Sequence, residues 1–297
     1  MYRLKDFGSY TVGGRIVTVT EGEPRVIQFT RSASYEFDPR GHFAIEHAYV
    51  QYFLPEARND AAPVVLVHGG GLSGSCWETT PDGRPGWLHL LLQRGFEVHV
   101  IDNVERGRAG FSPGHLPGEP LLRSMEEAWH LFRIGPKDGF ATRAAFAGQL
   151  FPVSALEQLA RRFVPRWLST SHLQTSALVA TLKKTGPAMV ICHSQGGEIT
   201  FDAHALAPSL FQSIIALEPS GFPGDPAALR ETPTRIIAGD HLDTDPNWQM
   251  RRAAWQNLAR SETCSYIGTR ELGPGNSHLL MMDRNSDAIL NAALESL

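Results

Sequence analysis

From residue 63 onward the chain alternates short apolar-rich runs with longer segments whose apolar positions recur every three or four residues. The runs are 63–67, 96–101, 189–192, 211–217, 234–238 and 264–267. Short runs of this kind suit strands buried on both faces. Segments 86–94, 172–184, 198–206, 248–260 and 287–297 carry helical spacing, and Gly95 stops the first of them. Repeated strand–helix alternation predicts an α/β fold: a mostly parallel central sheet, helices on its faces and right-handed crossovers. Open sheets of this kind collect their chemistry at the carboxyl ends of the strands.

The ends of this pattern are weaker. Residues 10–29 alternate loosely around Gly13, Gly14 and Gly22 and read as a small antiparallel hairpin. Residues 31–42 are polar and turn-rich. Residues 43–54 alternate well, with Ile45, Ala48, Val50 and Tyr52 facing inward, as an antiparallel strand at a sheet edge. Residues 112–120 are rich in Pro and Gly and open the least regular stretch. There, 121–134 reads as a helix, and 154–168 as a second whose Ser154 and Glu157 form a capping box. We therefore expect one domain over 1–297, with a helical cap inserted at 112–182.

Composition excludes several classes. Of 297 residues, 42% are hydrophobic and 20% charged, the balance of a globular protein. A formal charge of −4 gives no nucleic-acid footprint. No stretch approaches the roughly 18 apolar residues of a membrane span. Cys76, Cys192 and Cys264 make no disulfide framework. The first residues show no apolar leader core, so a cytoplasmic protein is expected. Histidine and carboxylate spacings match no metal motif, and no cofactor or metal is expected.

The chemistry centres on residues 188–207. An apolar run ends in His193-Ser194-Gln195-Gly196-Gly197, and a helical segment follows. Strand, tight turn with a central serine, and helix make a nucleophile elbow, although Cys192 stands where the G-x-S-x-G frame has its first glycine. A serine hydroxyl needs a base, and His278, in Gly275-Asn276-Ser277-His278 after the last strand, is the candidate. His193 is read as a pocket-wall residue. A carboxylate should orient His278. Asp243 lies in the polar loop after one strand, and Glu218 ends the strand before it. Glu218 is preferred, because a charge closing an apolar run is expensive to bury unless it is paired. The order Ser, acid, His is that of an α/β-hydrolase. The Gln195 N–H is the first expected oxyanion donor. The second belongs to His68-Gly69-Gly70-Gly71, at Gly70 or Gly71. That loop lacks the spacing of a phosphate-binding turn.

In these residues the chain resembles the α/β-hydrolase superfamily, and within it a group of bacterial esterases, the esterase 713-like family. The resemblance is carried by 68–74, by Cys76-Trp77-Glu78-Thr79-Thr80-Pro81-Asp82-Gly83-Arg84-Pro85-Gly86-Trp87, by Ile101-Asp102 with Arg106-Gly107-Arg108, and by the Ser194 and His278 segments through Asn285. It implies the cap before the nucleophile strand, ester hydrolysis through Ser194 and His278, Glu218 as the acid, and a homodimer. One departure stands out. In the family the oxyanion loop can carry two adjacent, mutually joined cysteines, where this chain has Gly70 and Gly71.

The resulting expectation is a serine carboxylic ester hydrolase working through an acyl-enzyme on a small-molecule ester. Lactonase, thioesterase or acyltransferase chemistry would use the same triad, and a non-catalytic binding protein would keep the fold alone. Nucleophilic serine argues against dehalogenase or epoxide hydrolase chemistry, which needs a carboxylate at that position. Trp77, Trp87, Phe111, Trp129 and Phe163 are the expected aromatic walls of a pocket for bulky or aromatic esters.

Overall fold

The computed structural model describes residues 2–112 and 114–295, and the side chains of all of these but 226 and 271. Ten strands form. They are β1 (Leu4–Val19), β2 (Arg25–Thr30), β3 (Ala33–Phe37), β4 (Gly41–Pro55), β5 (Val64–Val67), β6 (Val98–Asp102), β7 (Ala188–His193), β8 (Phe211–Leu217), β9 (Thr234–Ala238) and β10 (Cys264–Gly268). Eight of them make one sheet in the order β1-β4-β6-β5-β7-β8-β9-β10. From β6 to β10 every neighbour is parallel, while β4 runs antiparallel to β6 and β1 antiparallel to β4.

The helices are α1 (Trp87–Gln93), α2 (Met125–Leu131), α3 (Leu156–Ala160), α4 (Ser171–Thr185), α5 (Gln195–Leu206), α6 (Pro246–Leu258) and α7 (Ser286–Leu294). Successive strand residues feed opposite layers, as the pleat requires. Val64, Leu66, Ile191, Ile215 and Leu217 pack with apolar residues of α1, α2, α3 and α7. Val65, Val67, Val190, Cys192 and Ala216 pack with those of α4, α5 and α6. All four residues of β5 are fully buried, which explains the unbroken apolar run. Each such valine contributes about 1.5–3 kcal/mol of hydrophobic stabilisation, an upper figure since unfolded chains bury some surface.

Register places the site. Val67 pairs with Cys192, Cys192 with Ala216, His193 with Leu217, and Leu217 with Ile237. His68, Ser194 and Glu218 are the first residues after β5, β7 and β8, so they leave neighbouring strands at the same edge of the sheet.

Several expectations are corrected. The first long strand, β1, pairs with β4 rather than closing a hairpin within 10–29, and the hairpin is instead β2 with β3. β1 takes the sheet edge, and β4 lies inside it. Alternation in 10–29 was a poor guide because most of β1 is only half-buried or exposed. The expected 154–168 helix is a short turn followed by the five-residue α3, and Ser154 makes no cap bond. Pro152 and Pro165 bound that stretch, and neither continues a helix. The helix expected at 121–134 starts only at Met125, where the Ser124 side chain accepts the Glu127 N–H. Residues 296–297 of the last expected helix lie outside the described residues. α4 buries Ala177, Leu178 and Leu182 in the sheet core, so it belongs to the sheet layer. Among the described residues no helix is long and apolar enough to cross a membrane. All three cysteines are buried free thiols.

Candidate active site

Ser194 separates β7 from α5 with φ 51° and ψ −118°, a backbone state that side-chain-bearing residues rarely adopt. The glycines after it let the helix turn back across the sheet. A Cβ on Gly196 would stand 2.8 Å from the His68 carbonyl oxygen, and one on Gly197 would stand 2.3 Å from Pro219 Cβ. Ser194 N donates to Leu217 O, tying the turn to the next strand.

His278 reaches the same place from the loop before α7. Its backbone N–H donates to Phe132 O at 2.9 Å. Its ring stacks on Phe132 with centroids 5.7 Å apart and lies 4.9 Å from the Trp248 ring. His278 Nδ1 is 2.5 Å from Glu218 Oε2. Glu218 is fully buried, at φ 44°, and also accepts the Gly239 N–H at 2.7 Å. Both Glu218 oxygens accept from Arg133, whose Nε donates to Asp240 O and whose guanidinium lies 4.3 Å from the centroid of the Trp248 ring. Burial pushes the Glu218 carboxyl up, but Arg133 and then His278 outweigh it and hold it down at about 2. An ionised Glu218 accepts only, so we assign the Nδ1–H tautomer to His278, which leaves Nε2 as the basic nitrogen. Burial draws the His278 pKa below its ordinary value, and Glu218 only partly opposes it.

Arg133 and Asp283 are parts of this network with no assigned role in the sequence reading. Asp283 accepts from Ser277 N, Ser277 Oγ and Asn276 Nδ2, and so shapes the loop that presents His278. Burial raises its pKa to about 6 against those hydrogen bonds. Asp283 stood inside the resembling run 281–285. Nothing local marks Arg133, which acts across 85 residues of chain. Asp243, the alternative acid, pairs with Arg252 at the surface with its side chain 73% exposed. It lies in the short turn after β9 and does not meet His278.

The glycine loop packs against the elbow. His68 Nε2 accepts the Asn103 N–H, so its Nδ1 is the donor to Gly69 O. Burial lowers its pKa to about 4, which suits that neutral form. Gly70 and Gln195 line one cavity of about 280 Å³ with Ser194, His193 and His278. Gly71 does not line it. Gly71 sits at φ 75° and its carbonyl accepts from Val164 N, so of the two glycines Gly70 is the one at the cavity. A Cβ on Gly70 would stand 2.1 Å from Arg166 Nη1 and 2.8 Å from Gln195 Oε1. We expect Gly70→Ala to displace both groups and lower kcat by about tenfold or more, since small misplacements at a reacting centre cost that much. A variant with parental kcat would show that the Arg166 and Gln195 side-chain ends need not stand where they do for turnover.

The aromatic walls are corrected. Trp77, Trp87 and Trp129 are fully buried in the core and do not line the cavity. Trp87 and Trp129 satisfy their indole N–H groups on the carbonyls of Ser286 and Pro136. Phe163 packs edge-on behind Phe132, and Phe111 is half exposed, stacked on Trp167. Apolar spacing alone does not separate a ring in the core from a ring at a pocket. The aromatic walls present are Phe132 and Trp248, and the lining also includes Leu131, Leu168, Arg123, Arg166 and Arg251. His193 is buried, and its Nε2 lies 2.9 Å from His278 O. Among the described residues no group of three or more His, Cys, Asp or Glu side chains stands ready to hold a metal.

Residues 64–265 match the model of a family described as the alpha/beta hydrolase family. The chain belongs to the alpha/beta hydrolase family. It is similar to a solved structure described as a novel bacterial esterase, with 29% identity, TM-score 0.85, and coverage of 99% of this chain and 96% of that one. A hydrolytic enzyme of Pseudomonas aeruginosa PAO1, described as probable, shares the fold at 11% identity and TM-score 0.50 over 93% of this chain and 94% of its own. A curated relative is the probable secreted lipase phiG of Fungal sp. (strain ATCC 74256), 31% identical over 217 residues. That alignment covers 67% of this chain and 57% of the relative's length. The cytoplasmic expectation is overturned by this relative, which is described as secreted. A leader is removed from a mature protein, so the opening residues of a chain are a weak guide to its compartment.

Proposed function

We propose that this alpha/beta hydrolase is a serine carboxylic ester hydrolase. Ser194 attacks the ester carbonyl, His278 Nε2 takes its proton and returns it to the leaving alcohol, and water then cleaves the acyl-enzyme by the same route. Glu218 orients the imidazole and stabilises the imidazolium. The Gln195 and Gly70 backbone N–H groups receive the developing oxyanion. The observation that carries this reading is the convergence of a strained elbow serine and a carboxylate-bonded histidine on one cavity. The likeness to a bacterial esterase at 29% identity over nearly the whole chain supports it. A cavity of about 280 Å³ fits a small-molecule ester. In this reading the cap is the part of 112–182 that precedes α4. Leu131, Phe132 and Leu168 from that part line the cavity, and its two ends are tied by the backbone pairing of Leu121 with Arg166.

The test is hydrolysis of p-nitrophenyl butyrate together with covalent labelling by a fluorophosphonate, with the adduct mapped to Ser194. Absence of both sinks the reading. Its pH dependence follows from His278. The base works only when Nε2 is unprotonated, and burial draws the pKa below the ordinary 6.5. So kcat/KM rises with pH through a single limb centred below 6.5 and is flat at neutral pH. A limb centred above about 7 would point to another base.

A further inference from the structure

Three guanidinium groups line the cavity beside Ser194, those of Arg123, Arg166 and Arg251, against one carboxylate, Glu198. Their positive charge is poorly matched inside the protein. Arg123 is paired with Glu127, which is 56% exposed on the outer side, and Arg123 Nε has no partner among the described residues. Arg166 makes one side-chain hydrogen bond among the described residues, from Nη1 to Gln195 Oε1 at 3.2 Å. The guanidinium of Arg251 lies 4.7 Å from the Trp248 ring centroid. Near Arg166 lies Arg106, 1% exposed, whose Nη1 donates to Pro165 O while Nε and Nη2 have no partner among the described residues. The cations oppose one another. Burial, and then the charge of Arg166, draws Arg106 down to about 9. Burial together with Arg166 also lowers Arg123, against the pull of Glu127.

The arrangement is held by backbone, so it is not a chance meeting of long side chains. Leu121 and Arg166 exchange paired N–H···O bonds at 2.8 and 3.0 Å, and Val164 N donates to Gly71 O at 3.0 Å. These bonds seat Arg166 over Gly70, beside the cavity's polar end, while Leu131, Phe132 and Leu168 supply an apolar stretch. Guanidinium groups crowded with too few counter-charges in a partly buried site are stabilised by a bound anion, and their planar forks match a carboxylate.

We propose that the substrate of this cavity carries a carboxylate besides its ester, on a short carbon spacer, and that Arg166, with Arg123 and Arg251, binds that carboxylate. The inference rests on the hydrolase reading for its reaction and on the cavity alone for its binding. The two sides of an ester give two sources for the anion. On the acyl side, the mono-4-nitrophenyl ester of glutaric acid is compared with its methylated, neutral counterpart. On the alcohol side, 4-acetoxybenzoate is compared with 4-methylphenyl acetate. In one of the two pairs the anionic member is favoured in kcat/KM by about tenfold or more, and the preference weakens as salt is added. Arg166→Gln and, separately, Arg251→Gln reduce that preference toward unity, with folding checked by circular dichroism. Equal kcat/KM within both pairs overturns the proposal, as does a preference that survives both variants. If no ester is turned over, the hydrolase reading falls by itself. The anion site is then judged by calorimetry with glutarate against dimethyl glutarate. Tighter binding of glutarate that Arg166→Gln weakens sustains the site, and equal binding removes it.

Discussion

Ser194→Ala is expected to abolish ester turnover, with a loss of kcat on the order of 10⁵ and little change in the fold. Its hydroxyl is the nucleophile of the proposed acyl-enzyme, and no other side chain at the elbow replaces it. His193 is buried, with Nε2 at the His278 carbonyl, and Cys192 is a fully buried thiol whose pKa burial raises to about 12. Alanine keeps the Cβ at the strained φ of 51°, so the turn itself is retained. The residual rate reports what the proposed Gln195 and Gly70 donors achieve alone. Steady-state hydrolysis of p-nitrophenyl butyrate, with circular dichroism as the folding control, measures it. Turnover by the variant within about tenfold of the parent would transfer the chemistry elsewhere.

The second large effect is at Glu218. Glu218→Gln is expected to lower kcat by about 10³–10⁴-fold, because a neutral amide neither fixes the Nδ1–H tautomer nor stabilises the imidazolium. The same change strands Arg133, which is 1% exposed and loses both of its carboxylate contacts. Breaking one side of a buried ion pair costs about 3–5 kcal/mol of stability, so the kinetics are read only on folded protein below the lowered melting point. Asp243→Asn is the control. It removes an exposed pair with Arg252, worth about 0–1 kcal/mol, and kcat should change by less than about threefold. A larger loss from Asp243→Asn than from Glu218→Gln would reverse the assignment. Stability has its own pH signature. The folded-state pKa of Glu218 is depressed to about 2 from an ordinary 4.5. Its stabilising contribution is therefore present above 4.5 and is lost as pH falls through the folded value.

The local pattern was enough for the strands whose residues are buried on both faces. β8 and β9 match the expected 211–217 and 234–238, and β5 and β7 lie within a residue or two of theirs, because two-sided burial leaves runs that are apolar throughout in β5 and apolar in their second halves in β8 and β9. It was also enough for the elbow, where the need for small residues against the end of β5 and against Pro219 leaves Gly196 and Gly197 in the text of the chain. The helical insert was poorly legible. Its elements are short, bounded by prolines and stabilised by contacts across the chain, so apolar spacing at 154–168 overstated a helix. The same spacing placed Trp77, Trp87 and Trp129 at a pocket, when three-dimensional packing makes them core.

Sequence alone determined that the chain is a mostly parallel α/β sheet with a serine at a tight strand–helix turn, because backbone sterics and burial write those features into neighbouring residues. Only the tertiary structure decided which groups meet across long separations. Glu218 meets His278 across 60 residues and Arg133 across 85, while Asp243 turns outward to the surface. The arginines around the cavity arrive from the insert and from α6, and their shared, incompletely matched charge exists only once the fold brings them together. Electrostatic and hydrogen-bonded partnerships of this kind depend on distance in space, and residue spacing along the chain carries no record of it.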